Sequence, residues 1–310
     1  MVSICIPSYN NLDLFKKCFN SVCEQTYTDI ELIISDDSTN NEIENFLASY
    51  KNKNFKYFHH KNPLGSPSNW NFALEQCRGE YIKILHHDDY FTNKESLFVF
   101  VKAMESKPDA VFGFSQTLVH YLSDNSTFLH KQTNNQINRL KSDPEFLFYR
   151  NLIGAPSAII FKNRNGLKFN SAYKWLVDVE FFIRLLKQYS NFVHIQKPLV
   201  TTTHGAEGQI TGEVLGQKKI ILQENLNLFA KLTQQNNNPK SASLFFEELF
   251  EMYQVKSCEE LNSICSIPNN IQPFLTGVFE SMSQNKFVKQ IKKRLLTSRY
   301  NKQIFKIERF

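Results

Sequence analysis

Several common functional patterns are missing from this sequence of 310 residues. It has no run of about 18 apolar residues, which a membrane-spanning helix requires. It lacks the GxxxxGK phosphate loop, the GxGxxG fingerprint and the GxSxG elbow, so it gives no support to a P-loop enzyme, a dinucleotide-binding Rossmann enzyme or an α/β-hydrolase. Its first residues, MVSICIPSYN, begin directly on a strand pattern, and we expect no secretion signal.

The six cysteines also lack the spacing of a metal or redox site. No two of them form a CxxC pair, and their positions relative to the histidines do not match a zinc site. Cys5 lies in an apolar run and is expected in the core. Reduced thiols are typical of the cytoplasm, so we expect a cytoplasmic protein.

Basic charge is concentrated near the carboxyl end. The formal net charge is +6, and residues 286–310 contain nine lysines and arginines but a single acid. Phe287, Ile291 and Leu295 recur at helical spacing, which predicts a basic amphipathic helix that lies on an anionic membrane surface, at the inner face of the cytoplasmic membrane. A solvated helix packed on the rest of the protein is the alternative. We expect no nucleic-acid binding, because base-stacking aromatic residues are not interleaved with the charges.

The first 115 residues alternate between strand and helix patterns. Apolar runs predict strands at Val2–Pro7, Ile30–Ser35, Phe55–His59, Tyr81–Leu85 and Ala110–Phe114. Apolar residues at helical spacing predict helices at Leu12–Glu24, Asn41–Tyr50, Ser68–Cys77 and Lys94–Met104. Strands that alternate with such helices are joined by crossovers, which predicts an α/β fold with a mostly parallel sheet and flanking helices.

The chain is less regular after residue 115. The patterns predict helices at Asp143–Asn151 and Asp178–Gln188, and strands at Ala158–Phe161, Phe192–Ile195 and Leu199–Thr203. From Gly212 onward the pattern is helical, with a polar break at 234–239. We therefore predict a domain at 1–212, with halves at 1–115 and 116–212, and a helical extension at 213–310.

Polar residues follow three of the predicted strands. Pro7-Ser8-Tyr9-Asn10 follows the first strand, Asp36-Asp37 the second, and His86-His87-Asp88-Asp89 the fourth. Ligands of parallel α/β sheets bind beyond the carboxyl ends of the strands. These groups are therefore the first candidates for a ligand site.

Residues 86–89 are suited to a divalent cation. Carboxylate oxygens bind Mg²⁺ or Mn²⁺, and a neighbouring histidine favours Mn²⁺. Such a cation neutralises a diphosphate leaving group as a Lewis acid. An exposed polar turn is the alternative interpretation.

Other candidates also have structural alternatives. Asp36 and Asp37 are able to accept hydrogen bonds from a base or a ribose, or to cap the next helix. Asp178 is a candidate base at a pocket rim, although acids are favoured in any first helical turn. His204 ends a strand and is a candidate ligand of a metal or phosphate, although a histidine after a strand is more often structural.

The order of these segments resembles that of the inverting glycosyltransferases of family 2, which have the GT-A fold. Residues 2–10 resemble the family's first strand and nucleotide loop, and residues 33–39 resemble its second, where an aspartate contacts base and ribose. Asn62–Gly65, Asn69–Asn71 and Arg78–Ile82 follow at matching spacing. The resemblance covers about residues 1–212. It implies a nucleotide-sugar donor bound by Pro7, Tyr9, Asn10, Asp36, Asp37, Asn62, Gly65, Asn71, His86, His87 and Asp88.

The resemblance also implies metal ligands and a base. The family's motif, Asp-x-Asp followed by Asp, falls on residues 86–89, where His86 replaces the first aspartate. Asp88 is then the main ligand of Mn²⁺ or Mg²⁺. Asp178 falls on the catalytic base, with Val177 in place of the family's glutamate. His204 falls where some members have a histidine near the donor diphosphate, which makes it a second candidate metal ligand.

The implied activity is transfer of a hexosyl or N-acetylhexosaminyl group from a UDP-sugar to a glycan or lipid-linked acceptor, in bacterial surface polysaccharide synthesis. Asp178 takes the proton of the acceptor hydroxyl in a single inverting displacement. Two alternatives remain open. The histidine at position 86 allows a non-catalytic nucleotide-sugar-binding protein. A sugar nucleotidyltransferase is the other, although residues 7–11 lack its glycine- and arginine-rich loop.

Overall fold

The computed structural model describes residues 1–50, 54–164, 166–206, 208–209, 212, 214, 216–233 and 239–283. The chain divides into two compact units. The first contains Met1–Pro144 and Leu152–Glu213, and the second contains Glu145–Asn151 and Val214–Phe310. The second unit thus includes a short segment from the middle of the chain.

The first unit is built around one sheet. Its strands, within the described residues, are β1 (Val2–Ser8), β2 (Ile30–Asp36), β3 (Phe55–His59), β4 (Tyr81–Ile84), β5 (Tyr90–Phe91), β6 (Phe112–Tyr121), β7 (Thr127–His130), β8 (Ile159–Lys162) and β9 (Phe192–His204). Their order is β3-β2-β1-β4-β8-β6-β9-β5, and β7 pairs with β6. The first four strands along the chain form three parallel pairs: β1 with β2, β1 with β4, and β2 with β3. The other half is mixed, because β8 is antiparallel to β4 and β6 while β6 and β9 are parallel.

Burial explains the strand patterns. All residues of β1 and β4 are buried, as expected for parallel strands covered on both faces. β3 lies at the edge of the sheet, and its residues are only partly buried. The β-branched residues Val2, Ile4 and Ile6 of β1 fit such a strand well. The continuous apolar run in the sequence therefore marks the centre of the parallel half.

Helices flank this sheet. They are α1 (Leu12–Cys23), α2 (Glu42–Leu47), α3 (Ser68–Glu75), α4 (Ser96–Glu105), α5 (Asn134–Ser142) and α6 (Val177–Gln188). α1 buries Phe15, Cys18, Phe19 and Val22, which lie on one face at helical spacing. Asn11 caps it by accepting a hydrogen bond from the backbone N–H of Leu14. Each fully buried phenylalanine contributes about 1.5–3 kcal/mol, so this face fixes α1 on the sheet.

The structure corrects the predictions for residues 110–151. The strand expected at Ala110–Phe114 runs instead from Phe112 to Tyr121, and β7 and α5 were not predicted. Residues 143–151 do not form the expected α-helix. Only Pro144–Phe148 is helical, as a short 3-10 helix in which the last three residues are all buried. Three consecutive buried residues lack the one-sided apolar face of the amphipathic helix that the pattern suggested.

The two short strands predicted at 192–203 form one strand, β9. Pro198 does not end this strand, because the register against β6 shifts between Ser115 and Thr117, directly opposite it. Proline is tolerated in sheets at such irregularities, where no ladder hydrogen bond is needed from it. The continuous strand carries His204 to the same end of the sheet as Tyr121.

The second unit is helical in its described part. Its longer helices are α7 (Lys218–Thr233), α8 (Pro239–Met252), α9 (Cys258–Ile264) and α10 (Gln272–Ser283). Phe148, Phe229 and Phe246 contact one another, with ring centroids 5.0–6.2 Å apart. The predicted polar loop at 234–238 and the basic segment at 286–310 lie outside the described residues. Of the helices in the described ranges, none has the length and apolar character to cross a membrane.

Candidate functional site

Three polar turns lie side by side at the carboxyl ends of β1, β2 and β4. β1 pairs in parallel with both β2 and β4, so the three strands end at the same edge. The backbone N–H of Asp37 donates to the carbonyl of Ser8 at 3.0 Å, and that of Leu85 to the carbonyl of Cys5 at 2.8 Å. The turns that the sequence predicted to carry a site are therefore neighbours.

The turn after β1 faces the solvent. Asn10 has φ 49°, a left-handed conformation that asparagine tolerates better than most residues. Its backbone N–H donates to Ser38 Oγ at 2.8 Å, and its Oδ1 accepts from the N–H of Thr39 at 3.1 Å. Tyr9 is 40 % exposed beside it, whereas Pro7 is buried in β1. These bonds fix the turn and leave the tyrosine ring accessible.

Asp36 and Asp37 are buried and hydrogen-bonded within the protein. Asp36 accepts from the backbone N–H of Ser38 at 2.9 Å and from the hydroxyl of Tyr57 at 2.8 Å. Asp37 accepts from the N–H groups of Leu64 and Gly65 at 3.1 and 2.8 Å. Asp36 also accepts from the hydroxyl of Ser38. A carboxylate has about four acceptor positions, so about one remains on Asp36 and about two on Asp37 for a ligand.

The loop before α3 is shaped by Gly65. This glycine has φ 72°, where a residue with a Cβ would be strained, and a Cβ added there would meet no other atom. Asn62 is exposed in the same loop. Asn71, predicted as a donor-binding residue, instead has its amide hydrogen-bonded to a backbone segment. Its Oδ1 accepts from the N–H of Phe169 at 2.8 Å, and its Nδ2 donates to the carbonyl of Phe169 at 2.9 Å.

The turn after β4 gathers three metal-binding groups. One ligand atom each from His86, Asp88 and Asp89 lies within 4.8 Å of the other two. Asp89 is buried and accepts from the N–H of Thr203 at 3.1 Å. Ser157 Oγ accepts from the N–H of His86 at 3.0 Å and also hydrogen-bonds the Asp89 side chain. Ser157, together with the end of β9, therefore holds both ends of this turn.

A buried lysine lies beneath the turn. Lys83 is fully buried, and its ammonium donates to the carbonyls of Ile84 and Ser157. Burial lowers the pKa of Lys83 to about 7, although the nearby Asp89 carboxylate opposes this. Burial likewise raises the pKa of Asp89, and the negative charge of Asp88 adds to that effect. Burial lowers the pKa of His86 to about 4, so its imidazole is neutral at pH 7.

This set of residues fits a divalent cation. Carboxylate oxygens and a neutral imidazole nitrogen are ligands that Mn²⁺ accepts. His86 Nε2 is buried and has no hydrogen-bond partner within the described residues. A buried polar atom without a partner costs about 1–3 kcal/mol, which a bound cation would remove. Asp88, Asp89 and His86 are the residues that would hold it.

His204 is not part of this cluster, so far as the structure describes the chain. Its ring centroid lies 5.1 Å from that of Tyr121, at the ends of β9 and β6. Gln209, which the sequence analysis did not single out, contacts the turn instead. Its Nε2 donates to Asp88 Oδ2 at 2.6 Å and to the carbonyl of Thr203 at 2.7 Å. The role predicted for His204 as a metal ligand stays a prediction.

The first turn of α6 presents two acids in different settings. Asp178 is partly exposed, and its Oδ1 accepts from the N–H of Val179 at 2.8 Å. Glu180 is 2 % exposed and forms an ion pair with Arg184 at 3.2 Å. Arg184 also donates to the carbonyl of Lys168 at 2.6 Å. Glu180 is thus engaged in holding the helix in place, which leaves Asp178 as the better candidate for a base.

An aromatic chain connects the turn after β4 with α6. The ring of Trp70 lies 4.4 Å from that of His86 and 5.1 Å from that of Phe169. Phe169 in turn lies 4.3 Å from Phe181 in α6. Packed aromatic rings of this kind are rigid. This row of packed rings therefore fixes the position of α6 relative to His86 and the two aspartates of the turn.

The sequence reasoning missed Lys83, Ser157 and Gln209. The contacts that bring them to the site join residues 74, 71 and 121 positions apart. Such long-range contacts leave no local pattern in a single sequence. Asp89, by contrast, stood among the candidates at 86–89.

Comparisons with known proteins identify the family and the fold. The model of the family "Glycosyl transferase family 2" matches residues 3–185. An uncharacterised glycosyltransferase of Rickettsia felis is 35 % identical over 117 residues, which are 36 % of this chain and 19 % of that protein. The chain thus aligns with about a fifth of the length of this relative.

Two solved structures share the fold. The crystal structure of S. aureus TarS 1–349 in complex with UDP-GlcNAc has a TM-score of 0.61 and 18 % identity, over 96 % of this chain and 87 % of that one. The mannosyltransferase PcManGT of Pyrobaculum calidifontis, in complex with GDP-Man and Mn²⁺, has a TM-score of 0.53 and 14 % identity, over 97 % and 81 %. These similarities confirm the predicted GT-A fold with its helical extension.

Proposed function

The chain belongs to glycosyltransferase family 2, and we propose that it transfers a sugar from a nucleotide-sugar donor to a glycan or lipid-linked acceptor with inversion at the anomeric carbon. One observation carries the proposal. The turns after β1, β2 and β4 meet at the same end of the sheet, where an exposed tyrosine, two buried aspartates and a cluster able to hold a cation adjoin. An end of this kind is where α/β sheets bind ligands.

The nucleoside end of the donor is proposed to lie against the first two turns. Tyr9 offers an exposed ring for the base, and the remaining acceptor positions of Asp36 and Asp37 suit base or ribose hydrogens. Pro7, Asn10, Asn62 and Gly65 shape the same surface. The TarS complex with UDP-GlcNAc supports a UDP-sugar as the donor.

The diphosphate is proposed to lie over the third turn. Asp88 would be the main residue to hold Mn²⁺ or Mg²⁺ there, with Asp89 and His86 beside it. His87 and His204 would face the diphosphate. The cation supplies positive charge that stabilises the leaving nucleoside diphosphate. The PcManGT complex with GDP-Man and Mn²⁺ supports this choice. The buried bonds of Ser157 and Thr203 keep the turn in its binding geometry before the donor arrives.

Asp178 is proposed as the base that accepts the proton of the acceptor hydroxyl. Its partial exposure suits a group that meets an incoming acceptor, whereas Glu180 is buried in an ion pair. A carboxylate of ordinary pKa serves here, because the enzyme holds both reactants in place. One displacement at the anomeric carbon then gives inverted stereochemistry.

The acceptor and the cellular setting follow from the same proposal. We propose a hexosyl or N-acetylhexosaminyl transfer in bacterial surface polysaccharide synthesis. The basic segment 286–310, outside the described residues, is proposed to hold the enzyme on the anionic inner face of the cytoplasmic membrane. Co-sedimentation with anionic vesicles, with and without residues 286–310, tests this attachment.

Replacement of Asp178 tests the assignment of the base. Asp178→Asn is expected to abolish release of nucleoside diphosphate in the presence of acceptor, while the affinity for the donor stays nearly unchanged. Asp13→Asn is a matched control, because Asp13 also lies in the first turn of a helix and its side chain is 94 % exposed. Retained turnover in Asp178→Asn, with the control equally active, would overturn the assignment.

A further inference from the structure

The unpartnered ring nitrogen of His86 distinguishes this candidate cation site from one built of carboxylates alone. His86 Nε2 is buried and has no hydrogen-bond partner within the described part of the chain. By contrast, the backbone N–H of the same residue is hydrogen-bonded to Ser157 Oγ. Buried polar groups in folded proteins nearly always have a partner, and an exception calls for an explanation such as an ordered water, an ion or a ligand. Beside two carboxylates, a cation is the explanation that fits the site.

The imidazole ring is held against rotation. The ring of Trp70 lies 4.4 Å away at an interplanar angle of 40°. Trp70 is itself 7 % exposed and packs on Phe169. A ligand residue that cannot swing away binds a metal with less loss of side-chain freedom. Packing against Trp70 therefore fixes the position of the half-buried His86 side chain.

The His86 ring also lies close enough to two carboxylates for all three groups to bind one cation. A ligand atom of His86 lies within 4.8 Å of carboxylate oxygens of both Asp88 and Asp89. Two first-shell oxygens around one cation are commonly separated by less than this, so a small movement brings all three groups to one ion. Asp89 is hydrogen-bonded to Thr203 and Ser157, which leaves Asp88 as the more adjustable of the two carboxylates.

We propose that His86 is a nitrogen ligand of the cation and makes this site selective for Mn²⁺ over Mg²⁺. Mg²⁺ prefers six oxygens and gives up its waters reluctantly, whereas Mn²⁺ accepts imidazole nitrogen. The family's motif has an aspartate at this position, so the selectivity is a property of this chain. The catalytic role of the metal rests on the proposed function. Binding of the metal to His86 does not, because it is measured without a donor.

Pulsed electron paramagnetic resonance of the Mn²⁺-loaded full chain tests the proposal directly, because this method detects a ¹⁴N nucleus bonded to the ion. Wild type is expected to show nitrogen coupling, and His86→Asp is expected to lose it. His204→Asn is the matched control, since it removes the other candidate histidine and should retain the coupling. Absence of coupling in wild type, or its loss in His204→Asn alone, would overturn the proposal.

Metal affinity gives a second measurement. The paramagnetic resonance signal of free Mn²⁺ is measured as the protein is titrated, and added Mg²⁺ that displaces Mn²⁺ gives the relative affinity of the two ions. Loss of even an outer-shell partner of a metal ligand costs about 10–100-fold in affinity, so His86→Ala is expected to weaken Mn²⁺ binding at least that much. His86→Asp should narrow the gap between Mn²⁺ and Mg²⁺. A wild type that binds both ions equally contradicts the proposal even if a variant fails to fold.

The outcomes separate this inference from the proposed function. Nitrogen coupling without turnover of any nucleotide sugar supports the ligand and contradicts the transferase. Turnover that is equal with Mg²⁺ and Mn²⁺, without nitrogen coupling, supports the transferase and overturns the role of His86.

Discussion

The carboxylate of Asp37 accepts a hydrogen bond of 2.8 Å from the backbone N–H of Gly65, across 28 residues of sequence. A second bond, from the N–H of Leu64 at 3.1 Å, goes to the other oxygen of the same carboxylate. Asp37 is 3 % exposed, so water does not compete for these bonds. One buried side chain therefore fixes the loop that the proposed donor meets.

Replacement of Asp37 by alanine is expected to loosen this loop. The two N–H groups lose a charged acceptor, and a hydrogen bond to a charged group contributes about 1.5–3 kcal/mol, so the melting temperature should fall. The KM for the donor should rise more than kcat falls. Asp37→Asn keeps one acceptor oxygen and should give an intermediate result. An alanine variant with unchanged melting temperature and KM would refute the role of this bond.

Asn71 gives a contrasting prediction. Its amide is bound on both sides to the backbone of Phe169, in the segment that leads to α6. Asn71→Ala is expected to lower the free energy of unfolding by about 1–3 kcal/mol while donor affinity stays unchanged. Calorimetry with a donor and urea unfolding measure the two quantities. Loss of donor affinity without loss of stability would show that Asn71 contacts the donor, as the sequence suggested.

Ser157 is expected to stabilise the turn after β4. Ser157→Ala leaves the buried N–H of His86 and the Asp89 carboxylate each with one partner fewer, and should cost about 1–3 kcal/mol. Affinity for Mn²⁺ should fall as well. Ser106→Ala is the control, because the hydroxyl of this exposed serine bonds a helix carbonyl, and its loss should change stability by less than about 0.5 kcal/mol. Equal stability of the two variants would contradict the role of Ser157.

The sequence predicted the parallel half of the sheet better than the rest. β1, β2 and β4 were visible because strands buried on both faces are continuous apolar runs that end in polar turns. β7 was missed because Phe128 and Leu129 are exposed although the segment is a strand. α5 was missed because only Ile137 and Leu140 are buried in it. Its capping box, formed by Thr133 and Gln136, was the available signal.

The candidate site shows the same division. The turns at 7–10, 36–37 and 86–89 were recognised because their residue types and their order along the chain are local features. Contacts across the sheet decide which of those residues is accessible and which is engaged in the fold. Asn71 bonds Phe169, and Lys83 bonds Ser157, and neither contact has a trace in local sequence.

The free energy of unfolding should depend on pH through Glu31. Burial raises the pKa of Glu31, but hydrogen bonds from Ser3, Lys56 and the N–H of Arg78 outweigh it and lower the pKa to about 2, from 4.5. A carboxyl with a lowered folded-state pKa stabilises the protein above pH 4.5, and this contribution is lost as the pH falls towards 2.

Glu31→Gln tests that dependence. The variant should be less stable than wild type to urea at pH 7, and the difference should shrink as the pH falls towards 2. Ser3→Ala removes one of the hydrogen bonds, at 2.6 Å, and should show a smaller change of the same sign. A gap between wild type and Glu31→Gln that stays constant with pH would show that the carboxylate is not stabilised in this way.

Metal-dependent turnover of a nucleotide sugar is the most direct test of the proposed function. The purified chain is incubated with a panel of UDP- and GDP-sugars, with Mn²⁺ or with EDTA, and nucleoside diphosphate release is measured by mass spectrometry for wild type and Asp88→Asn. We predict release from at least one donor with Mn²⁺, and its loss both in EDTA and in the variant. Equal release under all these conditions, or no release from a donor that the protein binds, would contradict the account.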